Sequence, residues 1–232
     1  MFVLIHGGGH SSRCWERVMP LLEAPAMALD LPGRGTHPGP LDEIHLSDWI
    51  DSASDDIERA AVADAVLVGH SMAGLSIPGI IDRVHERLRH VVFTSCALPP
   101  DGKSLLDLLP PEVAALASAF PPTPAGSALS PEEVVAMQCY DMDDEQTAFT
   151  LEVTVPEAYW PVRDAVSLDG LRHPVPRTWV KLTRDRTFVP AAQDEMAARA
   201  GCGEVIEVDS GHMAMVSHPE QLAAVLNAIH AA

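Results

Sequence analysis

The sequence predicts an α/β fold, a six-stranded and mostly parallel sheet with helices on both faces. Three observations predict it. Short apolar runs alternate with longer helical-looking segments, the pattern that βαβ units produce. Glycine-rich turns follow two of those runs directly, at Gly7-Gly8-Gly9 and at Gly69 to Gly74. The length of 232 residues, 47% of them hydrophobic, suits one core domain with an insertion.

Taken in order, the first strand is Phe2-Val3-Leu4-Ile5, closed by His6-Gly7-Gly8-Gly9-His10. Further strands are expected near 26–29, 65–69, 90–95, 177–183 and 204–208. Helices are expected near 13–23, 46–62, 74–87, 190–200 and 218–230. The alternation fails between about Pro99 and Pro176. That stretch holds Pro110-Pro111, Pro121-Pro122, Pro124 and Pro131 with apolar segments between them, Val113 to Phe120 and Val134 to Tyr140, too apolar for a disordered linker. Ser130-Pro131-Glu132-Glu133 is a capping box with proline at the first helical position. The organisation expected is a core of residues 1–98 and 177–232 with a helical cap at 99–176, roofing the ends of the strands.

The most informative segment is Gly69-His70-Ser71-Met72-Ala73-Gly74, which follows the apolar run Ala65 to Val68 and opens a helix. It reads as a nucleophile elbow. A strand that turns sharply into a helix forces its apex serine into a strained, exposed position, and small neighbours at 69, 73 and 74 avoid collisions with adjoining backbone. The fifth position of G-x-S-x-G is Ala73 rather than glycine, so the pattern is met loosely; such a pentapeptide also occurs in ordinary turns.

A serine hydroxyl is a poor nucleophile at neutral pH. It needs a histidine base, and the base needs a carboxylate that fixes its tautomer. Beyond the strand containing Thr178 to Thr183 the first carboxylate is Asp185. Asp209 and Asp194 are its rivals: Asp209 lies close to His212 in sequence, and Asp194 falls within the next helix. Among eleven histidines only His212 combines a position past a strand end with a preceding glycine, Gly211. The candidate order is Ser71, Asp185, His212. Backbone N–H groups for a developing oxyanion are assigned to Gly8, in the bend after the first strand, and to Met72, the residue after the nucleophile. A phosphate-binding loop is the competing reading of the glycines, but G-x-G-x-x-G is missing and no lysine follows as a Walker sequence requires.

These segments resemble the α/β-hydrolase superfamily, and within it the branch of plant methylesterases, salicylate-binding esterases, hydroxynitrile lyases and their bacterial relatives. FVLIHGGGHSSRCW, MALDLPGRG, VLVGHSMAGL, LTRDRTFVP and DSGHMAMVSHPEQLAAVL carry the resemblance; the cap segment matches poorly. It implies the α/β-hydrolase fold with strand order 2-1-3-4-5-6, the same three catalytic residues, and Gly8 and Met72 at the oxyanion positions. It also separates two chemistries. Hydroxynitrile lyases carry a threonine where this chain has Gly7, and a lysine where it has Met213. Without those two polar groups, ester hydrolysis is favoured over cyanohydrin cleavage.

Composition narrows the partners. A net charge of −18 opposes binding to nucleic acid and anionic membranes. No run of 18 apolar residues suggests a membrane span. The first strand starts at Phe2 with no leader ahead of it, so a cytoplasmic location is expected. Cys14, Cys96, Cys139 and Cys202 lack metal or redox spacing and read as free thiols. Between Ser104 and Val162 there is no Lys or Arg, against ten Asp and Glu. Most of these acids read as a solvated face, with anionic substrates mildly disfavoured at the pocket rim.

The function expected is a serine carboxylester hydrolase acting on a small to medium neutral ester, with no metal or organic cofactor. Alternatives are a lactonase, a C–C bond hydrolase or a biosynthetic cyclase using the same three residues, or a ligand receptor with residual hydrolysis. The partner expected is a small-molecule ester or lactone, and a homodimer is left open.

Overall fold

The computed structural model describes residues 1–119 and 121–232. Six strands, β1 (Phe2–Ile5), β2 (Ala26–Leu29), β3 (Ala65–His70), β4 (Leu88–Thr94), β5 (Arg177–Leu182) and β6 (Glu204–Val208), form one sheet in the order β2-β1-β3-β4-β5-β6. Every neighbouring pair is parallel. Ile5 pairs with Gly69, so the loop after β1 and the turn after β3 leave the sheet side by side. The chain winds outward in opposite directions from β1 and β3. Their carboxyl ends therefore flank the crevice in which open α/β sheets bind ligands.

The period-two alternation of β1, β3, β4 and β5 sends their side chains into two separate cores. Val3, Ile5, Leu67, Val91, Phe93 and Trp179 face α1 (Leu46–Arg59), α2 (Ala73–Val84) and α6 (Pro190–Ala200), where Trp49, Ile57, Ile77, Ile81 and Met196 are buried. Phe2, Leu4, Val66, Val68, Val92 and Val180 face the other way, toward Trp15, α7 (Ala214–Ser217) and α8 (Pro219–Ala231), with Leu222 and Leu226 at its centre. Each such large apolar side chain contributes about 1.5–3 kcal/mol on burial. A one-residue slip of any strand would exchange the two faces, which fixes the register of the loops at the carboxyl edge.

The expected helix at 13–23 is instead two 3₁₀ turns, Ser12–Trp15 and Met19–Leu21. Pro20 has no N–H to give a continuing helix, and the chain needs Trp15 and Val18 turned into the core. Between β4 and β5 lie α3 (Pro111–Ala119), α4 (Pro131–Gln138) and α5 (Asp144–Val153). Phe120, the last residue of the helical stretch read from sequence, lies outside the described residues. Among the described residues, no helix is long and apolar enough to cross a membrane.

Candidate active site

Ser71 stands between the end of β3 and the start of α2 with φ +53°, in the left-handed region. For a residue with a Cβ this costs about 1–3 kcal/mol and persists only where the surroundings impose it. Here they do: Ser71 N–H donates to Thr94 O at 3.2 Å, and Ser71 O accepts from Ala97 N–H at 2.8 Å and Gly74 N–H at 3.1 Å. The small neighbours have specific causes. A Cβ on Gly74 would lie 2.3 Å from Ala97 O, and one on Gly69 would lie 2.3 Å from Ile77 Cδ1 and 3.0 Å from Ala73 Cβ. Glycine at 69 thus leaves room for alanine at 73.

The structure brings Ser71, His212 and Asp185 together in one hydrogen-bonded line. Ser71 Oγ lies 3.0 Å from His212 Nε2, and His212 Nδ1 lies 2.7 Å from Asp185 Oδ2. All three residues are buried. With Nδ1 donating to a carboxylate, Nε2 is the free acceptor for the serine proton. Asp185 also accepts Ser95 Oγ–H at 2.6 Å and the N–H groups of Thr187 and Phe188 at 2.7 and 3.2 Å. Burial alone would raise its pKa, but the adjacent His212 and these hydrogen bonds outweigh it, so the carboxyl is held below its usual range. The rivals are elsewhere: Asp209 binds Thr183 and Arg184 with its side chain 77% exposed, and Asp194, on α6, pairs with Lys181 of β5.

Two residues of the α4–α5 loop hold the partner loops. The Tyr140 hydroxyl accepts the N–H of His212 and that of Arg186, both at 3.0 Å. Asp141 Oδ2 accepts the Gly211 N–H at 2.6 Å; a Cβ on Gly211 would stand 2.5 Å from Asp141 Oδ1, so glycine is what admits the carboxylate. His70 Nε2–H donates to His212 O at 2.8 Å. Burial, with His212 nearby, drives the His70 pKa well below the ordinary histidine value and keeps the ring neutral. None of Ser95, Tyr140 or Asp141 was singled out by the sequence.

Gly8 and Met72 adjoin each other: a Cβ on Gly8 would fall 2.2 Å from Met72 Sδ. Met72 is the N-cap of α2, so its N–H is among the first-turn donors that the helix leaves unpaired. Among the described residues neither the Gly8 nor the Met72 N–H donates to a protein acceptor. The positive end of α2 favours negative charge at this position. Among the described residues, no three His, Cys, Asp or Glu side chains are grouped to hold a metal ion.

The sequence model of the alpha/beta hydrolase family matches residues 2–225. The chain belongs to that family. Within it, an esterase of Oryza sativa subsp. japonica is 36% identical over 110 residues, which cover 45% of this chain and 41% of the rice protein. The chain therefore spans about two fifths of the length of the rice esterases it matches. A methylesterase of Arabidopsis thaliana is 27% identical over 242 residues, covering 94% of this chain and 87% of the relative. Among solved structures, an extracellular alpha/beta-hydrolase of a Paenibacillus species superimposes with a TM-score of 0.85 at 21% identity, over 97% of this chain and 96% of the other. That likeness is one of fold: the parallel sheet and surrounding helices are those of the hydrolase family.

Proposed function

We propose that the protein is a serine carboxylester hydrolase for small to medium neutral esters, with residues 99–176 acting as a cap over the site. The observation that carries this reading is the line Asp185–His212–Ser71 beside two backbone N–H groups that have no protein acceptor among the described residues. In this reading Ser71 Oγ attacks the ester carbonyl carbon as His212 Nε2 takes its proton. The carbonyl oxygen becomes an oxyanion, accepting from the Gly8 and Met72 N–H groups. The tetrahedral intermediate collapses as the C–O bond breaks, and His212 returns its proton to the leaving alcohol. A water then gives a proton to Nε2 and attacks the acyl-serine, and collapse of the second intermediate releases the acid and restores Ser71. Asp185 keeps His212 in the required tautomer and stabilises its cationic form. The esterase names of the rice and Arabidopsis relatives support the same chemistry.

A panel of aryl and methyl esters with Ser71→Ala as the blank tests it. The expected result is turnover by the wild type, a fall in kcat of about 10⁴-fold or more in Ser71→Ala and His212→Ala, and labelling of Ser71 alone by an organophosphonate. Turnover unchanged in the alanine variants removes the mechanism.

A further inference from the structure

The glycine loop after β1 is fixed by side chains on both sides of its peptide planes. Gly7 O accepts from His6 Nδ1 at 2.9 Å, and Gly8 O from His10 Nδ1 at 2.8 Å. His6 Nε2 accepts the Leu31 N–H at 3.2 Å, which selects the tautomer with its proton on Nδ1. Burial keeps both rings neutral, driving His6 well below its ordinary pKa and His10 down to about 4.

The other side of the loop is gripped from the segment after α5. Gly9 O accepts the Val155 N–H at 2.8 Å, and the Gly9 N–H donates to Glu157 Oε2 at 2.8 Å. Glu157 is itself tied at every end. Its Oε1 accepts the Ala158 N–H at 2.7 Å and pairs with Arg34, whose side chain is wholly buried above the Trp49 ring. Its backbone bonds Ser127 in both directions, at 2.7 and 3.0 Å. A carboxylate in this enclosure needs the guanidinium to offset its desolvation.

We infer that Glu157 is a positioning residue for oxyanion stabilisation: by holding the Gly9 N–H it fixes the Gly8–Gly9 peptide plane, while His6 on Gly7 O fixes the Gly7–Gly8 plane that carries the Gly8 N–H, so the two anchors together set the torsions about the Gly8 Cα and the direction of its N–H. A Cβ on Gly8 would be only 3.1 Å from Glu157 Oε2, so the carboxylate lies against the donor residue. Negative charge there opposes an oxyanion. Arg34 on the neighbouring oxygen counters that charge, which leaves geometry as the contribution of Glu157. The inference rests on the ester-hydrolase reading.

The test uses Glu157→Gln, whose single amide oxygen cannot serve Gly9 on one side and Ala158 with Arg34 on the other at once, and Glu157→Asp, which keeps the charge and withdraws from Gly9. Each is expected to lower kcat by about 10- to 100-fold with KM within about twofold, the scale set by small misplacements of catalytic groups. Affinity for a trifluoromethyl ketone, which forms a tetrahedral oxyanion adduct on Ser71, is expected to fall by the same factor. Glu152→Gln, on an exposed pair with Arg13, is the control and retains wild-type kcat. If the wild type turns over no ester, the function reading fails, and the positioning inference is read by amide hydrogen exchange: Gly9 protected in the wild type and released in both variants. Wild-type kcat and inhibitor affinity in folded Glu157→Gln and Glu157→Asp overturn it. So does a kcat loss without the inhibitor loss, or unchanged Gly9 protection. Should Glu157→Gln leave Arg34 unpaired and fail to fold, Glu157→Asp alone decides.

Discussion

The Ser95 hydroxyl donates to Asp185 Oδ2 at 2.6 Å, the same oxygen that accepts from His212 Nδ1. Ser95 itself has φ +41°, beyond the end of β4. A strained residue here serves one visible purpose, to lock the carboxylate that orients the histidine. Ser95→Ala removes a hydrogen bond to a charged, buried acceptor, a loss of about 1.5–3 kcal/mol. The expected outcome is a fall of roughly tenfold in kcat, read on an aryl ester, with the midpoint of urea denaturation lowered. Unaltered kcat would show that the other donors to Asp185 suffice.

Asp185 and Asp209 separate by environment. Asp185→Asn should keep the fold yet lower kcat by about 10⁴, since the amide favours the wrong histidine tautomer. Asp209→Asn, exposed and paired with Thr183 and Arg184, should stay within about threefold of wild type. The reverse ranking would move the acid to Asp209.

Stability should carry a pH signature of the same group. The native pKa of Asp185 is depressed, so its contribution to stability is present above the unfolded value of about 3.9 and disappears as pH falls through the native value. Urea denaturation of wild type and Asp185→Asn should show a stability gap that is constant at neutral pH and closes below about pH 4. A gap that widens on acidification contradicts the assigned direction.

Cyanohydrin cleavage meets a geometric obstacle. A Cβ on Gly7 would lie 2.8 Å from Ser71 Cβ and 3.0 Å from His70 Nδ1, and Met213 is fully buried. Installing threonine and lysine at these positions would displace Ser71 and bury a charge. Wild type should release no cyanide from mandelonitrile above background, and Gly7→Thr should abolish ester turnover. Cyanide release lost in Ser71→Ala would instead establish a lyase.

The acidic stretch at 104–162 is largely the solvated face expected of it, with eight of its ten acids exposed, but their charges are locally compensated. Asp107, Asp141, Glu145, Glu152 and Glu157 face Lys103, Arg184, Arg17, Arg13 and Arg34. Glu112, Glu132, Glu133, Asp143 and Asp144 occupy the N-caps or first turns of α3, α4 and α5, where the helix dipole favours them. Matched neutral and anionic esters should therefore differ by no more than a few-fold in kcat/KM, even at low ionic strength. A large gap that shrinks with salt would restore the simpler expectation.

Legibility followed sequence distance. Strands β1, β2 and β6 are bounded as the sequence suggested, because short β-branched and aliphatic segments between turn residues are a local pattern. The 13–23 segment is not the single helix expected because Pro20 interrupts the backbone ladder and leaves two 3₁₀ turns. Helix α5 was not placed individually, although Asp143 and Gln146 form a capping box at its start. Ser71, Asp185 and His212 could be picked out by chain order and strand ends. Ser95 and Tyr140 could not, since their bonds to Asp185 and His212 join residues 90 and 72 positions apart, and neither stands in a pattern that announces the partner.

The Tyr140 hydroxyl and the Asp141 carboxylate have one engineering consequence. A chimera that replaced residues 99–176 wholesale with the corresponding segment of a relative would not simply exchange one substrate preference for another. It would cut the ties on Arg186, Gly211 and His212 together. A transplant that keeps the loops after β5 and β6 in place must carry this dipeptide across in register, so that the segment and the loops it holds are inherited as one unit.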